Sequence, residues 1–304
     1  MIDELKSLRQ QLLFSGKFDP PEFRNCVIAG MGGSGIAGRI FSDIYTKKPV
    51  TCVSSYEIPD FVDSDTLFIG MSYSGNTEET IAAFREAERR GAQMAAITSG
   101  GALEKMCHRT VKIPQGLQPR SALGYLFVPL ALSIIPGAAE DLIEASNLVT
   151  EIDNDNSWIK TMADSMVDKG RIPVILGYPP FQSVAYRWQT QFNENSKLLS
   201  FNLTFPELDH NAIMALEKTY NKDSFVYYTF GGAQGRIKNR VNFTLDLTTT
   251  EAIEIPVKGK SNIAKTFYLT HIGDYISYYA ALKRKVEPLD VTTIERLKGL
   301  LSKV

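Results

Sequence analysis

Apolar residues along this chain come mostly in short continuous runs, each followed by polar punctuation and then by a stretch with helical spacing. Leu5, Leu8 and Leu12 recur with charges between them and predict an amphipathic first helix. Asn25-Cys26-Val27-Ile28-Ala29, Val50–Ser54, Leu67–Met71, Gln93–Thr98 and Thr110–Ile113 read as buried strands. Helices are expected from Ile36 to Tyr45, from Glu78 to Arg90, and from the Pro119–Gly124 turn to about Pro136. Strand alternating with helix predicts an α/β fold, a doubly wound parallel sheet with helices on both faces. Gly137 to Lys169 is polar and reads as a partly helical connection. The pattern then restarts. Strands are expected at Pro173–Gly177, Ser224–Phe230 and Ile253–Val257, and helices at Phe181–Asn193, Arg236–Leu247, Ser261–Leu282 and Val291–Leu301. The second half repeats the pattern of the first, so two domains are expected, 1–150 and 151–304.

The stretch from Leu67 to Thr80 stands out. A buried run ends in Ser72-Tyr73-Ser74-Gly75-Asn76-Thr77, and Glu78-Glu79-Thr80 opens a helix. A helix start offers free N–H groups and the positive end of the dipole. Ser72, Ser74 and Thr77 add hydroxyl donors there, a combination that suits a phosphate held by neutral groups. A plain Ser/Thr helix cap is the competing reading. In a doubly wound sheet, ligands sit at the carboxyl ends of strands, where both this turn and Gly30–Gly35 fall.

Gly30–Gly35 also satisfies G-x-G-x-x-G between a strand and a helix. A dinucleotide site further wants an acid at the end of the second strand, and the nearest one, Glu57, lies beyond it. With Ser34 in the turn, a sugar phosphate fits better.

Composition narrows the classes. The chain has 304 residues, 44% of them hydrophobic, enough for a sizeable core. Interspersed charges summing to −1 give no basic patch for nucleic acid. The amphipathic N-terminus is unlike a signal peptide, and no run has the length of a membrane span. Three scattered cysteines, Cys26, Cys52 and Cys107, suggest a reducing compartment, so a soluble cytoplasmic protein is expected.

His108, His210 and His271 have no metal-ligand spacing, and no metal site is expected. His271 sits among tyrosines and reads as packed or at an interface, His108 as surface. His210 lies in a polar turn that can face a cleft. Glu194 closes a helix, where a lone Glu is usually solvated. Arg120 stands near a helix start, a poor place for a cation unless an anion is recruited there. Lys298 by itself reads as a solvated helix face.

Taken together, GMGGSGIAG at 30–38, SYSGNTEET at 72–80, PRSALGY at 119–125, NENSK at 193–197, ELDHNAI at 207–213 and IERLKGLL at 294–301 carry a resemblance. The chain is similar, over its whole length and in order, to the bifunctional phosphoglucose/phosphomannose isomerase family of the sugar-isomerase (SIS) domain superfamily. That resemblance implies two SIS domains, and a homodimer working on sugar phosphates without metal or organic cofactor. It implies that Gly33, Ser34, Ser72, Ser74 and Thr77 bind the substrate, its phosphate above all. Glu194 matches the catalytic base, His210 the ring-opening histidine, Arg120 the cation near the enediolate, and Lys298 a lysine associated with ring opening. The segment Glu287–Thr293 departs from the more usual Pro-Thr-Pro run, so no threonine there is assigned to the sugar.

The expected reaction interconverts glucose 6-phosphate and mannose 6-phosphate with fructose 6-phosphate through a cis-enediol(ate). One Glu suffices for both proton transfers between C1 and C2. The alternative is a SIS-domain sensor that binds sugar phosphate without catalysis. It would keep the hydroxyl loop but has no use for Glu194, His210 and Arg120.

Overall fold

The structure is a computed structural model that describes residues 1–301, the side chains of Lys298 and Leu301 excepted. Strands β1 (Asn25–Ala29), β2 (Val50–Val53), β3 (Thr66–Ser72), β4 (Gln93–Thr98) and β5 (Thr110–Lys112) form one sheet in the order β2-β1-β3-β4-β5. All its pairings are parallel, with Cys26 beside both Val50 and Leu67. β6 (Ile172–Gly177), β7 (Phe201–Thr204), β8 (Phe225–Phe230) and β9 (Ala252–Ile255) form a second parallel sheet in the order β7-β6-β8-β9. β1 and β3 are buried at every position, as strands covered on both faces must be.

The helices are α1 (Ile2–Lys6), α2 (Leu8–Leu12), α3 (Gly32–Ile44), α4 (Glu78–Arg89), α5 (Gly101–Met106), α6 (Leu123–Ile134) and α7 (Ala138–Asn154). The series continues with α8 (Ser157–Asp168), α9 (Gln182–Asn195), α10 (Ile213–Glu217), α11 (Gly235–Leu247), α12 (Asn262–Arg284) and α13 (Thr292–Leu301). In each sheet the strand order turns back beside the first strand, between β1 and β3 and again between β6 and β8. Crevices at such points receive ligands. α3 leaves the first of them and α9 leaves the second.

Two large apolar cores fill the space between layers, and a smaller third lies under α4. In the first, α3 and α6 cover β1 and β3 through Ile36, Ile40, Phe41, Leu126 and Phe127. In the second, Val184, Trp188 and Phe192 of α9 pack with Tyr228 and Phe230 of β8. α4 closes the outer face of the first sheet, placing Ala83, Phe84 and Ala87 against Val27 and Phe68. α12 belongs to both cores: Ile263 and Phe267 enter the first, Leu269, Ile272 and Ile276 the second.

Several boundaries differ from the sequence reading. The leucine-rich N-terminus is two short helices broken at Ser7, whose hydroxyl donates to the Glu4 carbonyl, yet Leu5, Leu8 and Leu12 are all buried. α3 begins at Gly32, so most of the glycine run is helix rather than loop. Residues 137–169 are two full helices; their polar residues are solvated faces, while Leu142, Val149, Ile159 and Met166 are buried beneath. α5 and the edge strand β7 were not anticipated.

Candidate active site

β3 delivers Ser72 to the end of the first sheet, and the chain then turns through Ser74 and Thr77 into α4. Gly75 makes the turn at φ +69°, where a Cβ would lie 1.7 Å from the Gly100 carbonyl oxygen. Ser72 Oγ lies 2.8 Å from Thr77 Oγ1 and 3.5 Å from Ser74 Oγ. Backbone N–H groups supply much of the rest of this order. Gly75 donates to Ser72 Oγ at 3.0 Å, Asn76 to Ser74 Oγ at 3.2 Å, and Tyr73 to Ser34 Oγ at 3.1 Å. A hydroxyl that accepts from the backbone keeps its own O–H to give. Ser34, Ser72, Ser74 and Thr77 therefore gather hydroxyls from α3 and the β3–α4 turn into one cradle at the switch point of the sheet, with one O–H of the Ser72–Thr77 pair spent within it.

One residue before Ser34, Gly33 faces the other way. A Cβ on it would meet the Pro119 carbonyl oxygen at 2.6 Å and the Arg120 Cα at 2.9 Å. The missing side chain lets the 3-10 turn Pro119–Ser121 lie against the first turn of α3. Arg120 is buried in that turn. Its Nε donates to Asn195 Oδ1 at 2.9 Å and its Nη2 to the Pro288 carbonyl at 2.8 Å, while Nη1 lies 3.6 Å from Glu194 Oε2. Burial pushes Arg120 below the ordinary arginine value, and the Glu194 carboxylate opposes that shift.

Glu194 is the penultimate residue of α9, and α9 is fixed at both ends. Its first turn is tied to α3, where Asp43 accepts from the Ser183 N–H and from Gln182 Nε2, both at 2.9 Å. At its last turn, Asn195 Nδ2 donates to Ser277 Oγ of α12 at 2.9 Å. Between them, Arg187 pairs with Asp274 of α12 at 2.8 Å and donates to the Arg120 carbonyl at 3.1 Å. Gln191 Nε2 reaches the other oxygen of Asp274 at 2.9 Å. Arg187 and Asp274 are nearly fully buried, so removing one partner would strand the other's charge.

Between α3 and α9 lies a cavity of ≈ 150 Å³ walled by Gly32 and Gly33 on one side, Arg187, Gln191 and Glu194 on the other, with Arg120. The structure thus brings Gly33, Arg120 and Glu194 around one cavity, whose wall does not include Ser34, Ser72, Ser74 or Thr77. His210 is exposed in the 3-10 turn Glu207–His210 and is not part of the wall. Lys298 belongs to α13; its side chain lies outside the described residues. His271 is buried against Asp153 at 2.8 Å, and His108 is exposed. Among the described residues no cluster of side chains could hold a metal ion, and no helix is long and apolar enough to cross a membrane.

Sequence reading missed Arg187, Gln191, Asn195 and Asp274. A signal for the first two was present: Arg187, Gln191 and Glu194 at i, i+4 and i+7 make a polar stripe along α9. Lys197 was missed as well. Its Nζ donates to the carbonyls of Glu194 at 2.7 Å, Glu287 at 2.9 Å and Asp290 at 3.0 Å, tying the end of α9 to the segment that leads into α13.

The SIS domain model matches residues 23–132, and the model described as the bacterial phospho-glucose isomerase C-terminal SIS domain matches residues 156–301. A bifunctional phosphoglucose/phosphomannose isomerase of Thermoplasma acidophilum is 50% identical over 300 residues, 99% of this chain and 97% of the relative. One of Aquifex aeolicus is 35% identical, over 94% of this chain and 92% of its own. Among solved structures, the C-terminal domain of a glucosamine-fructose-6-phosphate aminotransferase from Francisella tularensis superposes with a TM-score of 0.73 at 14% identity, covering 94% of each chain. That likeness carries the fold, two SIS domains with helices on both sides of each sheet.

Proposed function

The chain belongs to the bifunctional phosphoglucose/phosphomannose isomerase family, and from that premise we propose that it interconverts glucose 6-phosphate and mannose 6-phosphate with fructose 6-phosphate. The observation that carries the reading is Arg120 Nη1 held 3.6 Å from Glu194 Oε2 at a cavity wall, with the Ser34 hydroxyl one residue on from Gly33 of that wall.

Ser34, Ser72, Ser74 and Thr77 hold the phosphate, helped by the N–H groups that open α4. Gly33 lets the cradle and Arg120 approach each other. Anchoring the phosphate positions the sugar carbons without contacting the bonds that change. In the open-chain sugar, Glu194 takes the proton from C2 of an aldose and returns it to C1, and it does the reverse from fructose 6-phosphate. Negative charge then develops on the enediolate oxygens, and Arg120 Nη1 is the donor that meets it. Glucose and mannose 6-phosphates differ only at C2. Rotation about C2–C3 in the opened substrate presents either epimer's proton to the same carboxylate.

Opening the ring needs proton carriers besides the base. His210 takes this role with Lys298. Because His210 is exposed and stands outside the cavity wall, it serves the site of a second copy in a homodimer. Met214, one turn beyond it and 68% exposed, supports an apolar contact there. The three free cysteines suit a soluble protein of the cytoplasm, acting without metal, organic cofactor, nucleic acid or membrane.

The test is a coupled assay on fructose 6-phosphate with EDTA present, following both aldose phosphates. Formation of both is expected. Glucose 6-phosphate alone would remove the second activity, and binding without either product would favour the sensor.

A further inference from the structure

Gln191 and Arg187 stand one turn apart on α9 in the wall of the cavity that holds Glu194, and each is 2% exposed. Both are engaged on one side by Asp274, Gln191 through Nε2 at 2.9 Å and Arg187 through Nη2 at 2.8 Å. A carboxylate accepts only, so it fixes which end of the Gln191 amide faces it and turns Oε1 away. Gln191 Oε1 and Arg187 Nε are buried and have no hydrogen-bond partner among the described residues. Buried polar atoms are nearly always paired. Two orphans on adjacent side chains of the cavity wall, one acceptor and one donor, point to a ligand group that complements both.

We infer that Gln191 Oε1 and Arg187 Nε form a subsite that reads the sugar hydroxyls beyond C2, the one accepting from a hydroxyl and the other donating to it. This rests on the isomerase reading of the same site. A hydroxyl gives a proton to one atom and takes one from the other. A phosphate dianion or a carbonyl has nothing to give Gln191. Along a helix that rises about 1.5 Å per residue, Gln191 stands about 4.5 Å of axial rise from Glu194, close enough for a sugar whose C1 and C2 face Glu194 to bring a later hydroxyl to it. Glucose, mannose and fructose 6-phosphates share their configuration at C3 and C4. An enzyme that tolerates either configuration at C2 must take its selectivity from C3 onwards, and this pair is placed to supply it.

The experiment compares fructose 6-phosphate with its 3-deoxy and 4-deoxy analogues and with the C4 epimer, tagatose 6-phosphate. Each is measured on wild type and on Gln191→Leu. In wild type, removing the hydroxyl that is read should lower kcat/KM by about 10- to 100-fold, mostly through KM, the range for stranding a buried polar group. In Gln191→Leu the same deletion should change little, and discrimination against tagatose 6-phosphate should narrow. A merely structural role would lower kcat for every substrate alike and leave the deoxygenation penalty intact, which overturns the inference. Should Gln191→Leu fail to fold, wild type decides alone: undiminished kcat/KM for both deoxy analogues overturns it. Calorimetric binding of fructose 6-phosphate and its analogues separates the two readings. A binding penalty that vanishes in Gln191→Leu without any turnover supports the subsite and defeats only the isomerase reading. Turnover with no such coupling defeats the subsite alone.

Discussion

Arg120 reaches Glu194 with Nη1 alone, 3.6 Å from Oε2, because Asn195 and the Pro288 carbonyl hold its other nitrogens. A guanidinium fixed in this way keeps its position when the carboxylate takes up a proton. Glu194→Gln should therefore preserve the site's shape and remove only the base. Both interconversions should fall together by roughly 10²- to 10⁴-fold, the usual worth of a general base. Parallel assays of glucose 6-phosphate and mannose 6-phosphate formation check this. Survival of one activity would mean that a second group serves it.

Gly33→Ala deletes no functional group. Its Cβ would meet the Pro119 carbonyl oxygen at 2.6 Å, so the turn carrying Arg120 must retreat from α3. A displacement of about 1 Å at a catalytic group can cost on the order of 10²-fold in rate. The variant should fold, bind inorganic phosphate nearly as wild type does, and lose kcat. An unchanged kcat would show that the turn's distance from α3 does not matter.

At the hydroxyl cradle the loss should take a different form. Ser72→Ala and Thr77→Val each remove a hydroxyl from the 2.8 Å pair, and hydrogen bonds to a charged group are worth about 1.5–3 kcal/mol. KM for every sugar phosphate, and Ki for inorganic phosphate, should rise about tenfold or more per variant, with kcat the less affected. If phosphate still inhibits each variant as it inhibits wild type, the anion sits elsewhere.

Asp43 ties α3 to α9, and its environment sets a pH dependence. Burial holds its carboxyl above the ordinary Asp value of 3.8, outweighing the hydrogen bonds from Ser183 and Gln182. The folded protein thus keeps this proton to a higher pH than the unfolded chain does. The contribution of Asp43 to stability is then greatest below 3.8 and declines as pH rises through the folded-state value. Asp43→Asn cannot titrate. Its stability relative to wild type should improve as pH climbs across that window and level off above it, as urea unfolding from acid to neutral pH would record. A constant difference across the range would place this carboxyl at its ordinary value.

The strands of the first sheet were legible because a parallel strand covered on both faces leaves an uninterrupted apolar run, as at Leu67–Met71. β7 was not. It is an edge strand with Phe201 exposed, so burial imposed no pattern on it. The glycine run suggested a loop because glycine is a poor helix former. Close approach of Pro119 requires glycine at 33 inside the helix, and that requirement appears only once the chain is folded. Glu194 and Arg120 could be named through family resemblance. Their buried partners could not, since Arg187 and Asp274 in isolation look like ordinary solvated charges.

The two sheets look like separable parts, and the way α12 spans both cores says otherwise. Its first turns complete the packing around Phe127 and its remainder the packing around Trp188, while at the other end of the chain Leu5 joins one core and Leu8 and Leu12 the other. Neither half carries all of its own interior. A chain cut between residues 150 and 151 leaves each fragment lacking apolar side chains that the other supplies. The two sheets are thus interlocked through shared interiors, and separating the halves would expose apolar side chains in each.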